Sequence, residues 1–277
     1  MPPLKPSCAS DGPALNRSFG RETVSADERK SRIRRVFEAV APRYDLMNDL
    51  MSLGIHRLWK RRMARALEGL PGTVVDLAGG TGDIARLLRA PGRRVLVCDP
   101  SMPMMRAGRD KRAPANAASP QGPSTPDPGA QDLLWVAGEG EALPFADASV
   151  DALTISFGLR NVTRLELALA EIHRVLRPGG RFVCLEFSRP LAWLRPFYDL
   201  YSYLVIPRLG AWVAREPIAY QYLVESIRRF PDQRGFAGLL LAAGFREVRW
   251  QNLSFGIACL HQGVRGAGAA AGRSSAA

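Results

Sequence analysis

Cysteine and histidine are sparse. Four cysteines (Cys8, Cys98, Cys184 and Cys259) lie far apart, three of them in strand-like apolar runs, so reduced buried thiols are expected rather than a disulfide framework. The three histidines (His56, His173 and His261) are equally scattered, without a cluster at zinc-ligand spacing, and no metal site is expected. No stretch approaches the ~20 apolar residues of a membrane span, and no secretory-type apolar core stands near the start, so the expected location is the cytoplasm. Acid is also in short supply: 26 Asp and Glu face 38 Lys and Arg, giving a net charge of +12 and a pI of about 10.3. The excess is localised. Residues 1–65 hold 14 Lys and Arg against 7 Asp and Glu, and Arg57, Lys60, Arg61, Arg62 and Arg65 are the densest group. Such a cluster meets lipid phosphate as readily as RNA, or is simply a solvated helix face.

What is present is organised around Thr73–Asp83, TVVDLAGGTGD. A β-branched apolar run is followed by Gly79, Gly80 and Gly82 and then by the helix-compatible Ile84–Leu88, which reads as strand, glycine turn and helix. Glycines let a ligand lie against the backbone where a Cβ would collide, and the new helix aims N–H groups at it. Gly80 to Ala85 also fits the loose dinucleotide pattern, with Asp99 about 20 residues on as a ribose-binding acid. A pyrophosphate, however, would be repelled by Asp83 at the helix start and Asp76 at the strand end. A cationic ligand suits the turn better. S-adenosylmethionine carries an ammonium, a sulfonium and a ribose diol for Asp99, and no phosphate. The competing reading is a glycine turn that only packs helix on strand.

Along the chain, residues 1–25 read as a mobile arm and 26–69 as a helical segment, with a helix from Ala26 to before Pro42 and another from about Ile55 to Leu67. The second is basic and amphipathic, a pattern compatible with a membrane surface. Residues 70–263 form the main domain. Strands are expected at Arg94–Asp99, Leu133–Ala137, Val150–Ser156 and Arg181–Phe187, alternating with helices, which points to an α/β fold with a parallel doubly wound sheet. Residues 113–131 read as a Pro-rich flexible insertion and 191–230 as a helical lid, six aromatics standing between 191 and 214. A helix at Phe236–Leu241 precedes paired antiparallel strands at Arg246–Leu253 and Phe255–His261, and 264–277 reads as a disordered tail.

The blocks RYDLMNDLMSLGIHRLWK, VVDLAGGTGDIA, EALPFADASVDALTISFGLRNV, RVLRPGGRFVCLEFSRP, YQYLVESIRRFPDQ and NLSFGIACLHQG resemble, in order, the ubiquinone/menaquinone biosynthesis C-methyltransferases, the UbiE family. The resemblance runs from about Phe19 to Gly263. It implies a class I S-adenosylmethionine-dependent methyltransferase fold, Rossmann-like with a final antiparallel strand, acting on a polyprenylated quinol, either demethylmenaquinol or a 2-methoxy-6-polyprenyl-1,4-benzoquinol. Family cofactor contacts map onto Thr81, Asp99, Glu139, Gly140 and Ser156, beside Asp76 and Gly80 of the turn itself. Family members usually carry Asp or Asn followed by Ala where this chain has Glu139-Gly140.

The chemistry then assigns roles. An in-line attack on a sulfonium methyl needs an electron-rich ring carbon, so the expected substrate is the reduced quinol. Arg160 is a candidate to stabilise the phenolate and Asn161 to orient the hydroxyl. Alternatively, Arg160 ties its loop down by pairing with an acid. Tyr44, Asn48 and His56 are candidate head-group contacts. His56 could also serve as a base, although a surface or capping histidine is the commoner case, and Asn48 could be a helix cap. The lipid tail gives the Arg57–Arg65 helix a reason for peripheral membrane contact. Two rivals are an RNA methyltransferase, against which the absence of an Asn/Asp-Pro-Pro-aromatic motif after Val150–Ser156 argues, and a non-catalytic quinone-pathway subunit.

Overall fold

The computed structural model describes residues 18–19, 22–40, 49, 52, 54–110, 133–201, 204 and 217–266. Tyr44, Asn48, the segment 113–131 and most of 1–25, 202–216 and 264–277 lie outside the described residues. A short antiparallel hairpin, β1 (Ser18–Phe19) with β2 (Glu22–Thr23), leads into α1 (Ala26–Val40) and then α2 (Ile55–Arg65). The hairpin occupies the end of the stretch expected to be a mobile arm. It is held because Phe19 and Val24 bury against Ile33 of α1 and against Tyr222.

The main domain continues as β3 (Gly72–Leu77), α3 (Asp83–Leu87), β4 (Arg93–Asp99), α4 (Met102–Asp110), β5 (Leu134–Ala137), β6 (Val150–Ser156), α5 (Leu165–Val175) and β7 (Leu176–Phe187). It ends with α6 (Pro217–Arg229), α7 (Gln233–Ala242), β8 (Phe245–Leu253) and β9 (Ala258–Arg265). The seven-stranded sheet has the order β5-β4-β3-β6-β7-β9-β8. Its first five strands are parallel, and β9 lies antiparallel to both β7 and β8. Side chains alternate across it as strand geometry requires. Val75, Leu77, Leu153, Ile155, Phe182 and Cys184 face α5 and α7, whereas Val74, Ala152, Val183 and Leu185 face Trp59, Met63 and Leu67 of the α2 region.

Two boundaries depart from expectation. β7 begins at Leu176, because the Pro178-Gly179-Gly180 turn is taken up as a register shift against β6 instead of ending the pairing. β9 begins at Ala258, because Ser254 and Phe255 adopt positive φ (46° and 58°) in a single helical turn. Cys98, Cys184 and Cys259 are buried free thiols, and burial pushes Cys98 and Cys259 up to about 12.

Chain order reverses between β3 and β6, and ligands of open α/β sheets bind in the crevice at that point. Both strands end there in an unusual residue. Ala78 follows β3 at φ 51° and Phe157 follows β6 at φ 55°, positions that cost free energy for any residue with a Cβ. The loop after Phe157 is fixed from below: Arg160 Nη1 donates to the Phe157 carbonyl at 2.6 Å and to Glu186 of β7 at 2.9 Å. The Arg160 guanidinium also lies over the rings of Phe157 and Phe187. Both charged groups are almost wholly enclosed, with 6% and 1% side-chain exposure. Breaking such a pair from one side leaves an uncompensated buried charge, so Arg160→Met is expected to lower stability by about 3–5 kcal/mol in urea unfolding. Adding Glu186→Leu should recover a large part of that loss. A double variant no more stable than the single one would contradict this description.

Candidate functional site

The turn between β3 and α3 is shaped by what surrounds it. A Cβ on Gly79 would stand 2.8 Å from Asp76 Oδ2, and Gly80 takes φ 53°, so both positions need glycine. Asp76 is 1% exposed at the end of β3. Its Oδ1 accepts from the Thr154 hydroxyl at 2.9 Å and its Oδ2 from the Ala85 N–H at 3.1 Å, which joins β6 and α3 to the turn. Burial still dominates and raises its pKa to about 7. Asp99, at the end of β4, accepts from the Gly80 N–H at 2.8 Å and the Ser101 N–H at 2.7 Å, one bond on each oxygen. Each carboxylate oxygen has two lone pairs, so Asp99 keeps one acceptor position on each, the arrangement a vicinal diol needs. Burial raises the pKa of Asp99 too.

A cavity of about 180 Å³ opens above these groups. Asp76, Gly80, Thr81, Asp99, Glu139, Gly140 and Ser156, the seven residues proposed as cofactor contacts, all line it, together with Asn161. Ser156 Oγ is buried on its wall without a hydrogen-bond partner among the described residues, a group that a polar ligand could satisfy. Glu139 is already engaged: Lys30 of α1 bridges Glu139 and Glu141, at 2.9 Å to each, and Arg34 stands 3.7 Å from Glu139.

Charge on the wall fits a cation. The acids are Asp76, Asp83, Asp99, Glu139 and Glu141; the bases are Lys30, Arg34 and Lys60. Each base faces an acid, Lys60 lying 3.3 Å from Asp83. Asp76 and Asp99 form no salt bridge among the described residues, their carboxylates being held by hydroxyl and N–H donors. The donor set is therefore acceptor-rich and anionic, with no cluster of free cations of the kind that grips a pyrophosphate.

The remaining candidates separate. Arg160 is not on the cavity wall; its ion pair with Glu186 matches the loop-tying alternative, and its 5% exposure leaves it beneath the loop. Asn161, one residue on, is on the wall. His56 is also off the wall. Its Nδ1 lies 2.8 Å from Ser52 Oγ and 3.7 Å from Asp49, and burial lowers its pKa, so it is a neutral histidine in the first turn of α2. Sequence reasoning missed Lys30, Ile33, Arg34, Lys60, Met104 and Glu141 on the wall. The spacing of Lys30, Ile33 and Arg34 does put them on one face of α1, but nothing in the local pattern says that this face meets the glycine turn.

Comparison with known proteins agrees with the geometry. A model of the ubiE/COQ5 methyltransferase family matches residues 23–265. The ubiquinone/menaquinone biosynthesis C-methyltransferase UbiE of Rubrivivax gelatinosus is 61% identical over 256 residues, 92% of this chain and 95% of that protein. Its namesake from Paracoccus denitrificans is 53% identical, covering 88% and 95%. Among solved structures, an S-adenosylmethionine-dependent methyltransferase from Thermotoga maritima superposes with a TM-score of 0.58 at 18% identity, covering 84% of this chain and 99% of that one, which speaks to the fold alone. With the seven-stranded sheet, the acidic glycine turn and these matches together, the chain belongs to the ubiE/COQ5 methyltransferase family and has the class I S-adenosylmethionine-dependent fold.

Proposed function

We propose that this chain transfers a methyl group from S-adenosylmethionine to an unsubstituted ring carbon of a reduced polyprenylated quinol, of benzoquinol or naphthoquinol type. The observation that carries the reading is one cavity holding both Asp99, with an acceptor position left on each oxygen, and Asn161, with an amide for a ring oxygen. When bound, the cofactor would supply an electrophilic methyl, the C–C bond forming as the S–C bond breaks with sulfur leaving as a neutral thioether and the ring carbon giving its proton to solvent water.

The chain's own residues hold and orient. Asp99 accepts the ribose hydroxyls, Gly80 and Thr81 let the ligand lie against the backbone, and Ser156 Oγ gains its missing partner. Glu139 retains lone pairs beyond the Lys30 bond for the adenine amino group, beside Gly140. Lys60, next to Asp83, is suited to the amino-acid carboxylate. Asp76, at 1% exposure more deeply buried than Asp99, acts through its field. Asn161 donates to the quinol oxygen and so favours the ionised, electron-rich ring. Holding carbon and methyl in line is worth ~7–11 kcal/mol in favourable cases, so positioning can supply much of the rate.

The substrate tail gives the protein a reason to meet a lipid surface. Among the described residues no helix is long and apolar enough to cross a membrane. On α2, Arg57, Arg61, Arg62 and Arg65 are exposed beside Leu58, and the helix has no acid in its sequence. Trp59 Nε1 donates to Ser254 at 2.9 Å, which ties α2 to the turn carrying exposed Phe255, and Phe255 packs on exposed Trp193. Phe197 and Leu200 are exposed as well. Aromatic and basic side chains together suit an anionic bilayer interface.

Tritiated-methyl transfer with lipid extract and RNA offered side by side is expected to label only lipid, with quinol labelled under reducing conditions and quinone unlabelled under strictly oxidising ones; label in RNA or quinone would refute the reading. In flotation, the protein should rise with anionic vesicles, less with neutral ones or at high salt, and Trp193→Ser with Phe255→Ser should weaken it. Equal recovery in all arms would remove the membrane contact. Asp76 supplies a third test. Its folded pKa of about 7 lies above the unfolded value of about 3.9, so its contribution to stability is full below about 4 and is lost as pH rises to about 7. A cation nearby lowers that pKa again. Titration of S-adenosylmethionine at pH 6.5 should therefore release part of a proton, seen as heat that depends on buffer ionisation, and Asp76→Asn should abolish the release. Heat independent of buffer would contradict the electrostatic role.

A further inference from the structure

Around Asn161, hydrogen bonds reach two elements outside the cofactor site. Arg29 of α1 is 1% exposed, a buried guanidinium that donates to oxygens of the 160–163 loop. Its Nη1 donates to the carbonyls of Asn161 and Val162, both at 3.0 Å, and its Nη2 to the carbonyl of Arg160 at 3.2 Å. Burial lowers its pKa, the sign of a charge kept inside at a cost. Three successive carbonyls drawn onto one planar fork fix the direction of the chain at 160–162.

The Asn161 side chain is fixed as well. The Tyr222 hydroxyl of α6 donates to Asn161 Oδ1 at 2.9 Å, and Asn161 Nδ2 donates to the Phe157 carbonyl at 3.3 Å. Half a turn of the amide would set its oxygen against the Phe157 carbonyl, which can only accept, and lose that bond, so the present orientation is the one that satisfies both neighbours with the Tyr222 hydroxyl donating. Burial pushes the Tyr222 phenol up, so it keeps its proton and remains a donor. One Asn161 N–H is left over, on a residue that lines the cavity. Tyr222 is itself backed by the N-terminal hairpin: its ring stacks on Phe19 at 4.9 Å and 17°, within a satellite core shared with Val24 and Ile33.

We propose that Tyr222 and Arg29 are positioning residues for methyl transfer, which lock the Asn161 amide with an N–H presented to the quinol oxygen, and that Phe19 of the hairpin belongs to that support. The proposal rests on Asn161 touching the substrate. Tyr222 selects which face of the amide the ring oxygen meets, and Arg29 sets the height of the loop that carries it. A donor held there stabilises the ionised hydroxyl more than the neutral one.

The test compares Tyr222→Phe, Asn161→Ala and the double variant with the intact protein, by kcat, KM for quinol and affinity for S-adenosylhomocysteine. Tyr222→Phe keeps the ring on Phe19 and removes only the hydroxyl. It should lower kcat by about 10- to 100-fold, the scale of a misplaced group, with cofactor affinity unchanged. In the Asn161→Ala background the same change should alter kcat by less than about twofold, because the two act as one unit. The rising limb of the kcat–pH profile should move to higher pH in Tyr222→Phe, since the quinol hydroxyl ionises less readily without an aligned donor. Arg29→Lys should retain more kcat than Arg29→Met, and Phe19→Ala should show the same pH displacement as Tyr222→Phe. An unchanged kcat in Tyr222→Phe, or an equal loss in both backgrounds, would overturn the positioning role. Full activity in Asn161→Ala would overturn the reading of Asn161 itself and this proposal with it.

Discussion

The buried carboxyl of Asp76 is the constraint on which the site depends. It sits where the central strand β3 gives way to the glycine turn, and its two oxygens are shared between β6, through Thr154, and the first turn of α3, through Ala85. One side chain thus sets the distance between the two strands that flank the crevice and the angle at which the helix leaves it. The cost is a carboxyl that is hard to ionise in the empty protein. That cost is tolerable in a site built for a positive ligand, because the ligand restores what burial removed.

From that anchor the site is assembled out of strand ends. Asp99 arrives from β4 and is bonded to the turn through Gly80, so the two acids hold the same loop from either side. Ser156 and Phe157 arrive from β6, and the ion pair of Arg160 with Glu186 fastens the next residues to β7. Helix α1 then closes over the top, Lys30 joining Glu139 to Glu141 while Arg29 gathers the carbonyls of the Asn161 loop. Adjacent residues on one helix therefore fasten two separate parts of the same cavity wall, the one at Glu139 and the one at Asn161.

Much of this was legible in the chain itself. The period-2 runs, the glycine turn and an acid at the end of each of two strands pointed to the parallel sheet and to Asp76, Gly80 and Asp99, because strand ends and turns are written in local composition; Thr81, Glu139, Gly140 and Ser156 came from the family resemblance. Pairings across long sequence separations were not legible. Nothing near Arg160 names Glu186 as its partner; that pairing exists only because the fold brings β7 beneath the loop. Nothing around Glu139 in the chain points to Lys30, and their pairing depends on where α1 lies. The hairpin at Phe19 escaped notice because two-residue strands carry no periodicity. His56 was open to both a base and a capping reading, and its burial, which lowers its pKa, depends on where the fold packs the first turn of α2.

The central claim is that the acidic glycine turn holds a positively charged methyl donor with its ribose on Asp99. A crystal structure of the protein grown with S-adenosylhomocysteine tests it most directly. The account predicts the ribose diol bonded to both Asp99 oxygens, the thioether beside Thr81 and the sulfur facing the Asn161 amide across the cavity. Density for a phosphate-bearing nucleotide against the turn, or the homocysteine ligand bound away from Thr81 and Asp99, would contradict it.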